Sequence, residues 1–264
     1  MNVILTEFRA SLAFVFRNFN LVKRYAAWES VFLVYNVVNV LTIGYIGYGD
    51  PEKILYLIIG SLLWGFLSVL FHDVAEAVAW ERWEGTIEYT FMAPIHRFTY
   101  LVGQCVFAVI YAIFRSVIIM AIVAIFFKIS FSNANLISTF VLIIISSFSF
   151  LGMGIIAAVL PLLSPERGPQ ATHIFQAIVL LISGVYYEVT VLPEWLQPFS
   201  AVSPGTYTLR AIRRALLENA SLGELSSDIV TLVIIGAILI PVGLWIFNVA
   251  EKYAKRTGKL KRSG

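Results

Sequence analysis

The run Glu81-Arg82-Trp83-Glu84-Gly85-Thr86-Ile87-Glu88, with Pro94 shortly after, is a charged island between two long apolar stretches. Its residue types suit docking rather than bond-making. Gly85 breaks a preceding helix, Thr86 can cap a new one, and Glu88 favours the positive end of that helix. Ile87 and Phe91 lie one turn apart and share a face. Pro94 then ends the short helix, with Arg97 beyond it. A short surface helix of this kind can seat in a groove on a partner. A plain amphipathic loop between two apolar segments is the alternative reading. Two other ionisable residues fall within apolar stretches, Arg115 and Glu188. His72, His96 and His173 are scattered without metal-like spacing, so no metal site is expected. Ser183-Gly184 lacks the Gly-x-Ser-Gly context of an intramembrane serine protease, and no catalytic residue is expected.

The elements that must position these residues follow from composition. The chain has 264 residues, of which 59% are hydrophobic and 13% charged, far from the roughly 25% charge of a soluble domain. Six segments approach the roughly 20 apolar residues that cross a bilayer. They are Trp28–Tyr48, Ile54–Val74, Leu101–Phe127, Leu136–Leu162, Ile174–Leu192 and Ile229–Ala250. The expected fold is an all-α polytopic membrane protein with a single transmembrane domain over 1–264. Residues 28–250 hold the spans, and 251–264 form a basic cytoplasmic tail. Residues 1–25 carry Leu5, Phe8, Leu12, Val15, Phe19 and Val22 at three- and four-residue spacing, which reads as an interfacial amphipathic helix. No cleavable signal pattern is expected there.

Placing the N-terminus inside puts thirteen Lys and Arg residues on the inner side and five outside, with Arg115 within a span. Both termini are therefore expected in the cytoplasm. The connection 190–228 holds Pro193, Trp195, Pro198, Pro204 and Tyr207, and reads as short half-helices dipping into the outer leaflet. Arg210, Arg213 and Arg214 on its last helix suit a solvated face, or contact with lipid phosphates or an anionic substrate. Asp73 and Glu76 end span two at its inner side, where they mark the membrane boundary or touch a basic surface of a partner. Gly152, Gly154, Ala157 and Ala158 offer a small-residue surface for helix packing. Cys105 has no partner for an intrachain disulfide, being the single cysteine. Three readings stand for Arg115 and Glu188. They pair and brace spans three and five, or Glu188 lines a path and binds a cationic group, or Glu188 sits solvated at the outer interface.

The charged island resembles the cytoplasmic coupling helix of ABC-2 type transporter permeases, which carry Glu-Arg-x-x-Gly-Thr-(Leu/Ile)-Glu ending in Pro. A second match is Ser183-Gly184-Val185-Tyr186-Tyr187, followed by Leu192-Pro193-x-Trp195-Leu196 and Ser203-Pro204-x-Thr206-Tyr207. Ser203 stands where the family usually has Asn. The resemblance covers essentially the whole chain. It implies a permease subunit of an ATP-driven exporter, paired with a second permease as homodimer or heterodimer, above two copies of a separate ABC ATPase subunit. On that reading Glu81, Arg82, Glu84, Gly85, Thr86, Ile87, Glu88 and Pro94 couple to the ATPase. The chain itself is then not an enzyme: ATP and Mg belong to the partner, in keeping with the lack of a G-x-x-x-x-G-K-[ST] phosphate loop here. The expected setting is the cytoplasmic (inner) membrane, with lipid and no nucleic acid as partner. An amphipathic or hydrophobic drug-like compound, peptide or lipid is the expected substrate. A lipid-linked glycan is the alternative, and an ATP-independent secondary carrier the rival from another class.

Overall fold

The computed structural model describes residues 3–129 and 134–258, so part of the basic tail lies outside the described residues. Eleven α-helices and one 3-10 turn make up the regular structure among them, with no strand. Five helices or helix pairs are long and apolar enough to cross a membrane: α2 (Ala26–Ile46), α3 (Pro51–Glu84), α5 (Arg97–Phe127), α6 (Leu136–Ala157) continued by α7 (Val159–Leu163), and α11 (Ser226–Arg256). At one end, called lower here, lie α1 (Val3–Arg24) and the six-residue α4 (Ile87–Met92). At the upper end lie the turn Val189–Val191, α9 (Gln197–Val202) and α10 (Pro204–Leu217).

The expected fifth span is the main departure. Only α8 (Gly168–Ile182) forms, and its 15 residues are about 22 Å long at 1.5 Å per residue, short of a hydrocarbon core of about 30 Å. The chain leaves the helix through Ser183 and Gly184, which takes a positive φ of 68°. The apolar run continued to Leu192, but helix needs more than apolarity: Gly184 supplies a left-handed position at no steric cost. Residues after it return as the 3-10 turn, α9 and α10, so the outer half-helices lie where the prolines suggest. Pro204 opens α10 at its first position, where a missing N–H is harmless.

α3 is the central element and packs against α2, α5, α6, α7, α8 and α10. Phe66, Leu67, Leu70, Phe71, Val74 and Val78 along it form the core with Tyr100, Phe150 and Phe247. α6 and α11 approach through small residues. A Cβ on Gly152 would lie 2.7 Å from Leu239 Cβ, and one on Gly243 would meet the Gly152 carbonyl at 3.0 Å. Ser149 Oγ donates to the Leu232 carbonyl across the same contact at 2.7 Å. Gly154 faces the Leu70 and Phe71 carbonyls of α3, so the small-residue surface serves two neighbours.

α1 presents two apolar faces. Val15 and Asn18 are buried against α5, with Phe14 edge-on to Tyr100 and Phe19 edge-on to Phe107. Leu5, Phe8, Leu12 and Phe16 stay exposed. Gly103 lets the helices touch, because a Cβ there would fall 2.7 Å from the Ser11 carbonyl. Thr99 Oγ1 and the His96 N–H both donate to Glu7, which holds its carboxyl below the usual carboxylate range. A depressed folded value contributes stability above the unfolded carboxylate pKa and loses it as pH falls through the folded one. The N-terminal turns of α1 are therefore expected to hold at neutral pH and to loosen below about pH 4. Amide hydrogen exchange across residues 5–12 checks this; protection unchanged at pH 3 counts against it.

Candidate functional site

The lower end is built on how α3 stops. Gly85 is left-handed at φ 76°, the Gly85 N–H donates to the Arg82 carbonyl at 3.2 Å, and the Thr86 N–H reaches the Glu81 carbonyl at 2.9 Å. This pair of bonds is the Schellman arrangement, which satisfies carbonyls that a helix end leaves open. Thr86 does not cap α4 with its side chain as expected. Its hydroxyl turns back towards the Glu81 carbonyl at 3.4 Å, because the tight turn places it over the helix it leaves.

α4 is then clamped from three sides. Ile87 and Phe91 enter the core at 0% and 4% exposure, as their spacing predicts. Arg97, at the start of α5, donates to the Thr90 and Phe91 carbonyls at the far end of α4 and stacks over the Phe91 ring at 4.7 Å. Arg97 Nε also donates to Glu251 of α11 at 2.8 Å, and Lys255 meets the same carboxylate at 2.6 Å. One side chain thus caps α4 and ties it to α5 and α11.

What remains outward is an aromatic and acidic surface. Trp83, Tyr89 and Met92 are 69%, 78% and 80% exposed, with Glu84, Thr86, Glu88 and Pro94 also exposed. The sequence reading missed Trp83, Tyr89 and Met92. Their signal was their position between the buried residues of the same two helices. The same reading placed Glu81 and Arg82 with the outward group, whereas both are buried, at 3% and 4%. Glu81 pairs inward with Arg17 of α1 at 2.5 Å, and Arg82 Nε and Nη1 have no hydrogen-bond partner.

Arg115 and Glu188 are not brought together. Glu188 is exposed at the upper end, bonded by Thr190 Oγ1 at 3.3 Å and facing Arg213 and Tyr56. Arg115 lies lower, beside a small cavity it shares with Asn36, Ser61 and Ser116, and within electrostatic reach of Asp73 and His72. The shortening of α8 explains the difference: Glu188 sits past the end of the helix instead of on a full span. α3 continues past Asp73 and Glu76 to Glu84. With them is a pairing that spacing did not suggest. The His72 and His173 rings stack at 5.2 Å, and His72 Nε2 is 3.8 Å from Glu76.

The arginines of α10 are engaged internally rather than forming a free basic face. Arg210 binds Asp228, Arg214 lies 3.5 Å from Glu218, and Arg213 lies over the Tyr56 ring at 3.6 Å while donating to the Val185 and Gly184 carbonyls. Tyr207 donates to the Ala201 carbonyl, and the Pro193 carbonyl accepts from Leu196; Trp195 points outward. Ser183 is buried, bonded to Ser203 and the Val179 carbonyl, which is a packing role. Cys105 is buried and lines an apolar cavity of about 360 Å³ between α5, α6 and α11. The Ser221 backbone and hydroxyl hold the Glu224 carboxyl below its usual range in the turn before α11.

A bundle of apolar helices long enough to span, with a short clamped helix at one end and half-helices at the other, is the architecture of a multi-pass membrane protein. The ABC-2 type transporter family model matches residues 9–217, and the chain belongs to that family of transporter membrane subunits. It is 26% identical over 161 residues to proteins described as the probable multidrug ABC transporter permease YbhR, from Escherichia coli K12 and from Escherichia coli O157:H7. That match covers 61% of this chain and 43% of each relative, so the chain spans under half of the curated relatives it matches.

Proposed function

We propose that this chain is the permease subunit of an ATP-driven exporter, and that α4 is the element through which a separate ATPase subunit moves it. The observation that carries this is the clamp on α4. A helix bound to α3 by the Gly85 turn, to α5 by Arg97 and to α11 through Glu251 cannot tilt without moving all three. Its outward residues Trp83, Tyr89 and Met92 are large and apolar, the kinds of side chain that anchor interfaces. Glu84 and Glu88 beside them suit a basic rim on the partner. The docking residues of this reading are thus Trp83, Glu84, Thr86, Glu88, Tyr89, Met92 and Pro94, while Glu81, Arg82, Gly85 and Ile87 hold the element in place.

The proposed assembly has two permeases over two ATPase subunits, which hold ATP and Mg. The proposed orientation puts α1, α4 and both termini on the cytoplasmic side of the inner membrane. An amphipathic or hydrophobic compound is the proposed cargo, in keeping with the multidrug description of the relatives.

The test is co-purification with a candidate ATPase subunit encoded beside this chain. The double variant Tyr89→Ala/Met92→Ala removes exposed side chains only, so folding is expected to be unchanged. Captured ATPase should fall about tenfold or more, as for loss of interface anchors. Trp195→Ala, exposed at the opposite end, should behave as wild type. Equal capture by the double variant and the wild type would sink the coupling role of α4.

A further inference from the structure

The least expected feature inside the bundle is a polar group on the face shared by α3 and α8. Tyr25 and Trp80 meet edge to face where α2 and α3 approach at their lower ends, and such aromatics collect at the membrane surface. His72 lies eight residues above Trp80 along α3, about 12 Å deeper at 1.5 Å per residue. That depth is within the hydrocarbon region, where an ionisable group is costly and functional or paired.

The groups that face this point come from four helices. They are Glu29 of α2; His72, Asp73 and Glu76 of α3; Tyr111 and Arg115 of α5; and His173 of α8. Glu29 has a partner in the Tyr111 hydroxyl, and Asp73 has Arg115 as its neighbouring cation. Among the described residues Glu76 is paired with the His72 imidazole, at 3.8 Å, and its side chain is 45% exposed. His72 is 33% exposed, its Nδ1 is buried without a partner, and His173 stacks on it in the open. The result is a carboxylate beside two flat imidazole rings, opening sideways at a depth where lipid tails cannot satisfy it.

We propose that His72, Glu76 and His173 form a binding site for the charged head of an amphipathic organic cation, and that protonation of the imidazoles empties it. The carboxylate supplies the counter-charge, and the stacked rings supply a planar surface for a delocalised cation. With His72 neutral, Glu76 is left as the counter-charge and the site is open to a cation. At lower pH a protonated His72 neutralises Glu76 and repels the cargo, imidazole being the side chain that can gain a proton in mildly acidic conditions. The inference takes its purpose from the transport reading, as the cargo site of that transporter, but its test does not depend on that reading.

The probe is tetraphenylphosphonium, with tetraphenylborate as the anion of the same shape. Equilibrium binding is measured on the full chain in lipid nanodiscs, without nucleotide or ATPase. Wild type should bind the phosphonium saturably at pH 8, about tenfold or more weaker at pH 5.5, and should not bind the borate saturably. Glu76→Gln should weaken binding at pH 8 by tenfold or more, while Glu76→Asp retains most of it. His72→Gln/His173→Gln should weaken binding at pH 8, because the stacked rings are gone, and should abolish the pH dependence of the binding that remains. Should either glutamine variant fail to fold, His173→Gln alone, at an exposed position, together with the wild-type pH and charge dependence still decides. Equal binding of the two ions, indifference to Glu76→Gln, or pH dependence that survives without the imidazoles overturns the site. Phosphonium binding without ATPase capture would sink the coupling reading and leave the site standing; the reverse result would sink the site alone.

Discussion

Replacing Arg17 by methionine is expected to destabilise the protein by about 3 kcal/mol or more, the usual cost of leaving one member of a buried ion pair alone. The two partners are unequal. Glu81 is 3% exposed and Arg17 38%. Without Arg17, the Glu81 carboxylate stays buried and loses the cation paired with it. Without a charge on Glu81, Arg17 can turn to water. Glu81→Gln is therefore expected to cost distinctly less than Arg17→Met, although both remove the same pair. Unfolding in detergent, followed by denaturant titration of the two variants, checks the order. Equal losses, or a larger loss for Glu81→Gln, would mean that the pair is not what holds α1 to the foot of α3. The functional corollary is that Arg17→Met should also weaken capture of an ATPase subunit, because α1 braces the end of the helix from which α4 departs.

The second large effect is expected at Gly60, where α3 meets the upper turn. A Cβ there would lie 2.2 Å from the Val185 carbonyl oxygen and 2.8 Å from Arg213 Nη2. That oxygen is also the acceptor for Arg213 Nη2, at 2.5 Å. Gly60→Ala must push the Ser183–Val185 turn away from α3 and disturb the arginine that pins α10 to it. Overpacking of this kind costs about 1–3 kcal/mol, and the upper end of that range is expected because the nearest atom is a backbone carbonyl oxygen. Gly65, one and a half turns further along α3, is the control. A Cβ there meets nothing within 4 Å, and Ala is the better helix former by about 1 kcal/mol, so Gly65→Ala should be neutral or stabilising. Thermal unfolding of the two variants in detergent separates them. A Gly60→Ala protein as stable as wild type would show that the turn does not rest on α3.

Both sites lie where the chain's local pattern and its distant contacts meet, and the division of information between them is physical. Sequence alone determined what depends on neighbours along the chain. The apolar runs marked every spanning helix because burial in lipid or core demands about 20 apolar residues at a stretch. Gly85 ended α3 because a left-handed residue is cheapest as glycine, and Ile87 with Phe91 showed the buried face of α4 by helical spacing. The small residues of α6 announced close packing. Tertiary structure decided everything that depends on which helix stands opposite. It turned Glu81 and Arg82 inward, because α1 brings Arg17 to the same place, and left Trp83, Tyr89 and Met92 outward. It ended α8 at Ile182, so Glu188 faces Arg213 and not Arg115. It stacked His72 on His173, 101 positions apart in the chain, a pairing to which no periodicity points. Hydrophobic period is a property of one helix; the partner of a charge or an imidazole is a property of the bundle.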